Sequence, residues 1–111
     1  MRIRLMTLAG AAALVVAGTA AAMTVPKVFV SDGPGFTIKG PKTLKAGKYS
    51  FVVNDQSSSH NWHLQGPGIN KDLTSVPFSG KKSVTVALKK GTYTFYCVAH
   101  ASSMKGSFKV G

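Results

Sequence analysis

The chain is 111 residues long, 44% hydrophobic, and carries fourteen lysines and arginines against three acidic residues, for a formal net charge of +11 at pH 7. That length allows one domain, and a single cysteine excludes the internal disulfides that many small exported domains rely on. The charge balance suits acidic partners or anionic surfaces.

The first 22 residues read as an export signal. Arg2 and Arg4 form a basic start, Leu5 to Ala17 an apolar stretch, and Ala20-Ala21-Ala22 a small-residue cleavage site ahead of Met23. The apolar run from Leu5 to Met23 is 19 residues, long enough to span a bilayer, so retention as an anchor is the alternative. Either way the protein is expected outside the cytoplasm, periplasmic or extracellular, tethered by residues 5–23 if the segment stays. Residues 23–111 are left as one domain. They hold twelve lysines, no arginine, no glutamate, and only Asp32, Asp55 and Asp72, a formal +9.

After residue 23 no helical period appears, and short β-prone runs alternate with turn clusters. Val28-Phe29-Val30 leads into the breaker Ser31-Asp32-Gly33-Pro34-Gly35, and Phe36 to Lys39 follows before Gly40-Pro41. Lys45-Ala46-Gly47-Lys48 turns into a strand over Tyr49 to Asn54, with Tyr49, Phe51 and Val53 on one face. Asp55 to Ser59 reads as a polar loop and His60 to Gln65 as the next strand, closed by Gly66-Pro67-Gly68. Residues 69–80 read mainly as loop, with a brief strand or helical turn over Asp72 to Ser75 as an option. Ser83 to Leu88, Thr92 to Val98 and Lys105 to Val110 complete the set. Seven to eight strands predict an all-β fold, an antiparallel Greek-key β-sandwich.

The chemistry concentrates in Tyr96-Cys97-Val98-Ala99-His100-Ala101-Ser102-Ser103-Met104-Lys105-Gly106. A thiol, an imidazole and a thioether within eight residues form a soft ligand set that suits copper and not oxygen-seeking ions. Period-2 geometry puts Cys97 on the face of Tyr93 and Phe95, at the rim of the core. The same argument puts His60 with Trp62 and Leu64 and sends Asn61 and His63 to the other side. His60, Cys97 and His100 with Met104 as a weak fourth ligand would make a His₂Cys site with an axial Met, the blue-copper arrangement. His63 is expected at the surface or behind a ligand, Trp62 in the core, and Lys105 solvated or on a docking surface.

His60-Asn61 and Gly91-Thr92-Tyr93-Thr94-Phe95-Tyr96-Cys97-x-x-His100-x-x-x-Met104-x-Gly106-x-Phe108-x-Val110 resemble the cupredoxin family, its small plastocyanin/azurin-like members. The resemblance implies an eight-stranded sandwich with one type 1 copper ion. It implies His60, Cys97 and His100 as equatorial ligands, Met104 as the axial one, and Asn61 as a brace for the ligand loop. It also implies single-electron transfer through the exposed edge of His100, and no catalysis. Plastocyanin-like loops pair a two-residue Cys–His gap with four residues before Met, and azurin-like loops pair a longer gap with three. This chain has two and three.

Other chemistries fit less well. A Cys97–His100 nucleophilic pair would leave Met104 idle and has no evident substrate cleft. Zinc accepts Cys and His, but a thioether serves it poorly. Copper binding without electron relay, as a carrier or buffer, is the main alternative, although no cluster of mobile Met or His residues is present. The expected partners are a redox donor and acceptor with acidic docking surfaces, with an anionic membrane or cell-wall surface as a further option. Export argues against nucleic acid, and a monomer is the default.

Overall fold

Alternation of apolar and polar side chains decides the layers of this protein. The computed structural model describes residues 24–111; the expected signal over residues 1–22 and the tether over residues 5–23 lie outside the described residues. Nine strands follow in chain order: β1 (Lys27–Asp32), β2 (Ile38–Lys39), β3 (Thr43–Leu44), β4 (Gly47–Asp55), β5 (His63–Gly66), β6 (Ile69–Asp72), β7 (Gly80–Leu88), β8 (Gly91–Tyr96) and β9 (Lys105–Val110). They form a four-stranded sheet in the order β2-β1-β4-β7 and a five-stranded sheet in the order β3-β9-β8-β5-β6. Among the described residues no helix is long and apolar enough to cross a membrane.

Inward positions of the first sheet are Val28 and Val30 on β1, Phe51 and Val53 on β4, and Val86 and Leu88 on β7, all buried. Across from them lie Leu64, Tyr93, Phe95, Phe108 and Val110 of the second sheet, with Trp62 and Leu73 from flanking loops. Each such aliphatic or aromatic side chain contributes about 1.5–3 kcal/mol when taken from water. Two aromatic stacks organise the interior: Trp62 on Phe95 with centroids 4.9 Å apart, and Tyr93 on Phe108 at 5.3 Å. The Trp62 indole N–H donates to the Lys39 carbonyl at 3.0 Å, so the one polar atom of this large side chain is satisfied.

The sandwich departs from the expected one in three ways. The sheets are mixed, because β1 pairs in parallel with β4 and β3 in parallel with β9. A parallel pair needs a crossover of a dozen or more residues, and residues 33–46, which hold β2 in one sheet and β3 in the other, supply it. The strand count rises from seven or eight to nine, since β3 is two residues long and β6 occupies a stretch read as loop. Only Ile69 of β6 packs toward the core while Asn70, Lys71 and Asp72 are exposed, which gives no alternation to detect. Finally, β5 begins at His63 and not at His60. Residues His60 to Trp62 run as irregular chain, and Asn61 is as deeply buried as Trp62.

Candidate metal centre

Cys97 directly follows β8 and continues its inward series after Tyr93 and Phe95, which leaves the thiol fully buried and free of any disulfide. The backbone then folds back at once. The His100 N–H donates to the Cys97 carbonyl at 3.0 Å, closing a single 3₁₀ turn over Val98–His100. A turn of about three residues places residues i and i+3 on one side, which is why a two-residue gap brings imidazole and thiol together. The Met104 N–H donates to the His100 carbonyl at 2.8 Å, one α-type turn later. The Cys97 N–H in turn donates to the Met104 carbonyl at 3.0 Å, so the loop is pinned shut at its base and Met104 is fully buried there.

His60 comes from the connection between β4 and β5, where its N–H donates to the Ser57 carbonyl at 3.2 Å and its side chain is buried. Its Nδ1 lies 3.2 Å from His100 Nδ1 and 3.9 Å from Cys97 Sγ, while Cys97 Sγ lies 3.5 Å from His100 Nδ1. Metal bonds of about 2.0 Å to nitrogen and about 2.3 Å to sulfur, opened to trigonal angles, separate two nitrogens by roughly 3.5 Å and nitrogen from sulfur by roughly 3.7 Å. The observed sides of 3.2, 3.5 and 3.9 Å lie within a few tenths of an ångström of those separations, so the triangle is sized for one ion. His60, Cys97 and His100 are the one His, Cys, Asp or Glu cluster among the described residues with this geometry.

The surroundings hold the triangle in place. Asn61 Oδ1 accepts from the Val98 N–H at 2.9 Å, and its amide donates to Asp72 Oδ1 at 3.0 Å and the Thr74 carbonyl at 3.1 Å. The Thr74 hydroxyl oxygen accepts from the Trp62 N–H at 3.0 Å. Strand alternation had sent Asn61 outward; as a loop residue it turns inward and joins the two ligand-bearing segments. His63 stands away from the cluster, with its ring nitrogens 2.6 Å from Asp72 Oδ1 and from Asn70 Oδ1.

Two further features had no evident signal in the sequence. Phe36 meets both imidazoles edge-on, with centroids 5.6 Å from His60 and 5.0 Å from His100, while remaining 64% exposed. It forms part of a wide hollow of about 550 Å³ that also exposes parts of both histidines. Behind this loop, Asp32 and Asp55 face each other in register on β1 and β4, fully inside the sandwich. Both carboxylate oxygens of Asp32 and Oδ2 of Asp55 lack hydrogen-bond partners among the described residues, while Asp55 Oδ1 accepts from the Ser57 N–H at 3.2 Å. Burial pushes Asp32 up to about 8, and the neighbouring Asp55 carboxyl adds to the rise. A proton on Asp32 allows one hydrogen bond between the two carboxyls, which pairs one oxygen of each.

Two facing sheets with a His, Cys, His triangle at one end define a small metal-binding β-sandwich built around soft ligands. Residues 39–111 match the model for copper-binding proteins of the plastocyanin/azurin family, and the chain belongs to that family. Its cofactor is a copper ion, which His60, Cys97 and His100 are positioned to hold. The fold is that of auracyanin A, a "blue" copper protein from the green thermophilic photosynthetic bacterium Chloroflexus aurantiacus, at a TM-score of 0.56 and 18% identity over 79% of this chain and 100% of that chain. Amicyanin from Paracoccus versutus is similarly related, at a TM-score of 0.54 and 21% identity over 83% and 88% of the two chains. Reduced rusticyanin gives a TM-score of 0.54 and 21% identity over 77% of this chain and 76% of that chain. A sequence search of curated proteins finds no match.

Proposed function

We propose that this protein is an exported type 1 blue-copper electron carrier, not an enzyme, with His60, Cys97 and His100 as equatorial ligands and Met104 as the weak axial one. The observation that carries the reading is the donor triangle, with sides of 3.2, 3.5 and 3.9 Å, already set by strands and loop hydrogen bonds. Copper, when bound, supplies the one-electron couple. The chain's contribution is rigidity: a pinned loop and the Asn61 brace hold the donors still, and a fixed geometry lowers the cost of changing the ion's charge. Burial of Cys97 keeps water from the thiol. His100 is half-buried, and exposed Phe36 and Val98 lie around it, which supports an electron path through its ring edge to a docked redox partner. Residues 1–22 would direct export to the periplasm or beyond, and the lysine-rich surface would favour acidic partners.

Titration of the purified protein with Cu(II), followed by visible and EPR spectra, tests the reading. An intense blue band saturating at one copper per chain, with narrow hyperfine splitting and reversible bleaching by a reductant, is expected. A pale spectrum overturns the type 1 assignment and leaves copper carriage or buffering. A blue site that passes its copper to an acceptor protein instead of cycling electrons overturns the electron-carrier role.

A further inference from the structure

Negative charge is almost absent from the outside of this protein, and one face has none. Asp32 and Asp55 are inside the sandwich, and Asp72 sits on β6 of the five-stranded sheet, engaged by His63 and Asn61. The outer face of the β2-β1-β4-β7 sheet follows from strand parity, because residues opposite each other in register share a side. Phe29 pairs with Val52, Ser31 with Lys39 and with Asn54, Asn54 with Lys81, and Lys48 with Ala87. Lys27 lies two residues before Phe29 on the same side. This face therefore presents Lys27, Lys39, Lys48 and Lys81 around one aromatic ring, with no carboxylate among them. Phe29 is 73% exposed, the most exposed large apolar side chain among the described residues, beside a hollow of about 280 Å³.

We propose that this face docks on an anionic lipid bilayer, with Phe29 entering the headgroup boundary and the four lysines lying against lipid phosphates. Charge complementarity supplies the attraction, at about fivefold in partitioning per lysine near an anionic surface. Phe29 argues for a bilayer over a polyanion in water, since an inserted ring gains only where an apolar layer lies beneath the charges. The sequence places the apolar run Leu5 to Met23 only three residues, Thr24 to Pro26, ahead of β1. Three residues reach roughly 10 Å at full stretch, so export through or retention in a membrane brings β1 to its surface. Docking by the flat of the sheet leaves the end of the sandwich that carries His60 and His100 open sideways. The inference is independent of which metal fills the site.

The full chain carrying Phe29→Trp, with any copper reduced, tests this directly, because Trp62, the only native tryptophan, is fully buried. Vesicles of phosphatidylcholine with about one-quarter phosphatidylglycerol and brominated acyl chains should quench and blue-shift the introduced indole, with reversal near 0.5 M salt. Combining Lys27→Gln, Lys39→Gln, Lys48→Gln and Lys81→Gln should lower partitioning by on the order of several hundredfold. A control Thr94→Trp on the outer face of the other sheet should stay unquenched. Equal quenching at both positions, equal quenching on neutral vesicles, or no quenching overturns the proposal. A spectral change with soluble polyglutamate matching that with vesicles also overturns it, in favour of an acidic protein or polymer.

Discussion

Asn61 Oδ1 accepts a hydrogen bond from the Val98 N–H at 2.9 Å, so the residue after the first histidine is tied to the residue after the cysteine. The same amide donates to Asp72 and to the Thr74 carbonyl, which makes one buried side chain the junction of three segments. Asn61→Ala leaves the buried Thr74 carbonyl without this donor and frees the Val98 N–H. The expected loss is about 1–3 kcal/mol, the cost of leaving a buried group unsatisfied, read as a lower denaturation midpoint. Copper-loaded Asn61→Ala should also show a broadened visible band as the two ligand segments loosen. A variant as stable as the parent would show that the bond carries no weight.

Cys97→Ser tests the centre itself. The hydroxyl is a harder and weaker donor than a thiolate, yet it occupies nearly the same volume in the buried position. The fold should survive, as judged by far-UV circular dichroism. The intense blue absorption should vanish, leaving at most a weakly coloured copper adduct. Persistence of the blue band would remove Cys97 from the ligand set.

Met104→Leu tests the axial role. Leucine preserves volume and apolarity at this fully buried site, so the stability cost should stay below about 1.5 kcal/mol. Removing a weak axial donor favours the reduced ion, because Cu(II) loses more than Cu(I). Voltammetry should therefore find a higher potential with the blue colour retained. An unchanged potential would mean that Met104 only closes the loop.

The sequence revealed the centre more fully than the frame around it. Cys97, His100 and Met104 stand close together in the chain, and β8 and β9 alternate cleanly on both sides of them. His60 lies with the core, as alternation predicts, although it stands in an irregular segment held by Ser57 and Thr74 and not in a strand. Asn61 was misplaced for the same reason, since alternation has no meaning outside a strand. The parallel pairings of β1 with β4 and β3 with β9 depend on contacts between distant residues, which local patterning cannot report. Gly106 is a similar case. A Cβ there would run into the Phe95 ring. The position is small because Phe95, stacked on Trp62, needs the space.

Gly106→Ala follows from that close approach. The Phe95 ring must shift, and the Trp62 stack with it, at an overpacking cost of about 1–3 kcal/mol. Pairing the change with Phe95→Leu should recover part of the loss, so a double-mutant cycle should return a coupling well above 0.5 kcal/mol. Additive effects would place the strain elsewhere.

Asp32, buried against Asp55, makes stability depend on pH in a direction opposite to that of a carboxylate in a salt bridge. In the unfolded chain Asp32 releases its proton near the ordinary value of 3.8, whereas in the folded chain it holds the proton up to about 8. Well below the ordinary value of 3.8 Asp32 holds its proton in both states and adds no pH dependence. Between those values folding takes up a proton, so stability should fall as pH rises, by up to about 1.4 kcal/mol per pH unit for one proton. Above about 8 Asp32 is ionised in both states and this loss levels off. Asp32→Asn keeps the shape and can donate to Asp55 without titrating. Urea denaturation between pH 5 and pH 8 should therefore give a declining midpoint for the parent protein and a flatter one for Asp32→Asn, with the two differing most at the alkaline end. Equal slopes in the two proteins would assign the pH dependence to other groups and leave the carboxyl pair without a shared proton.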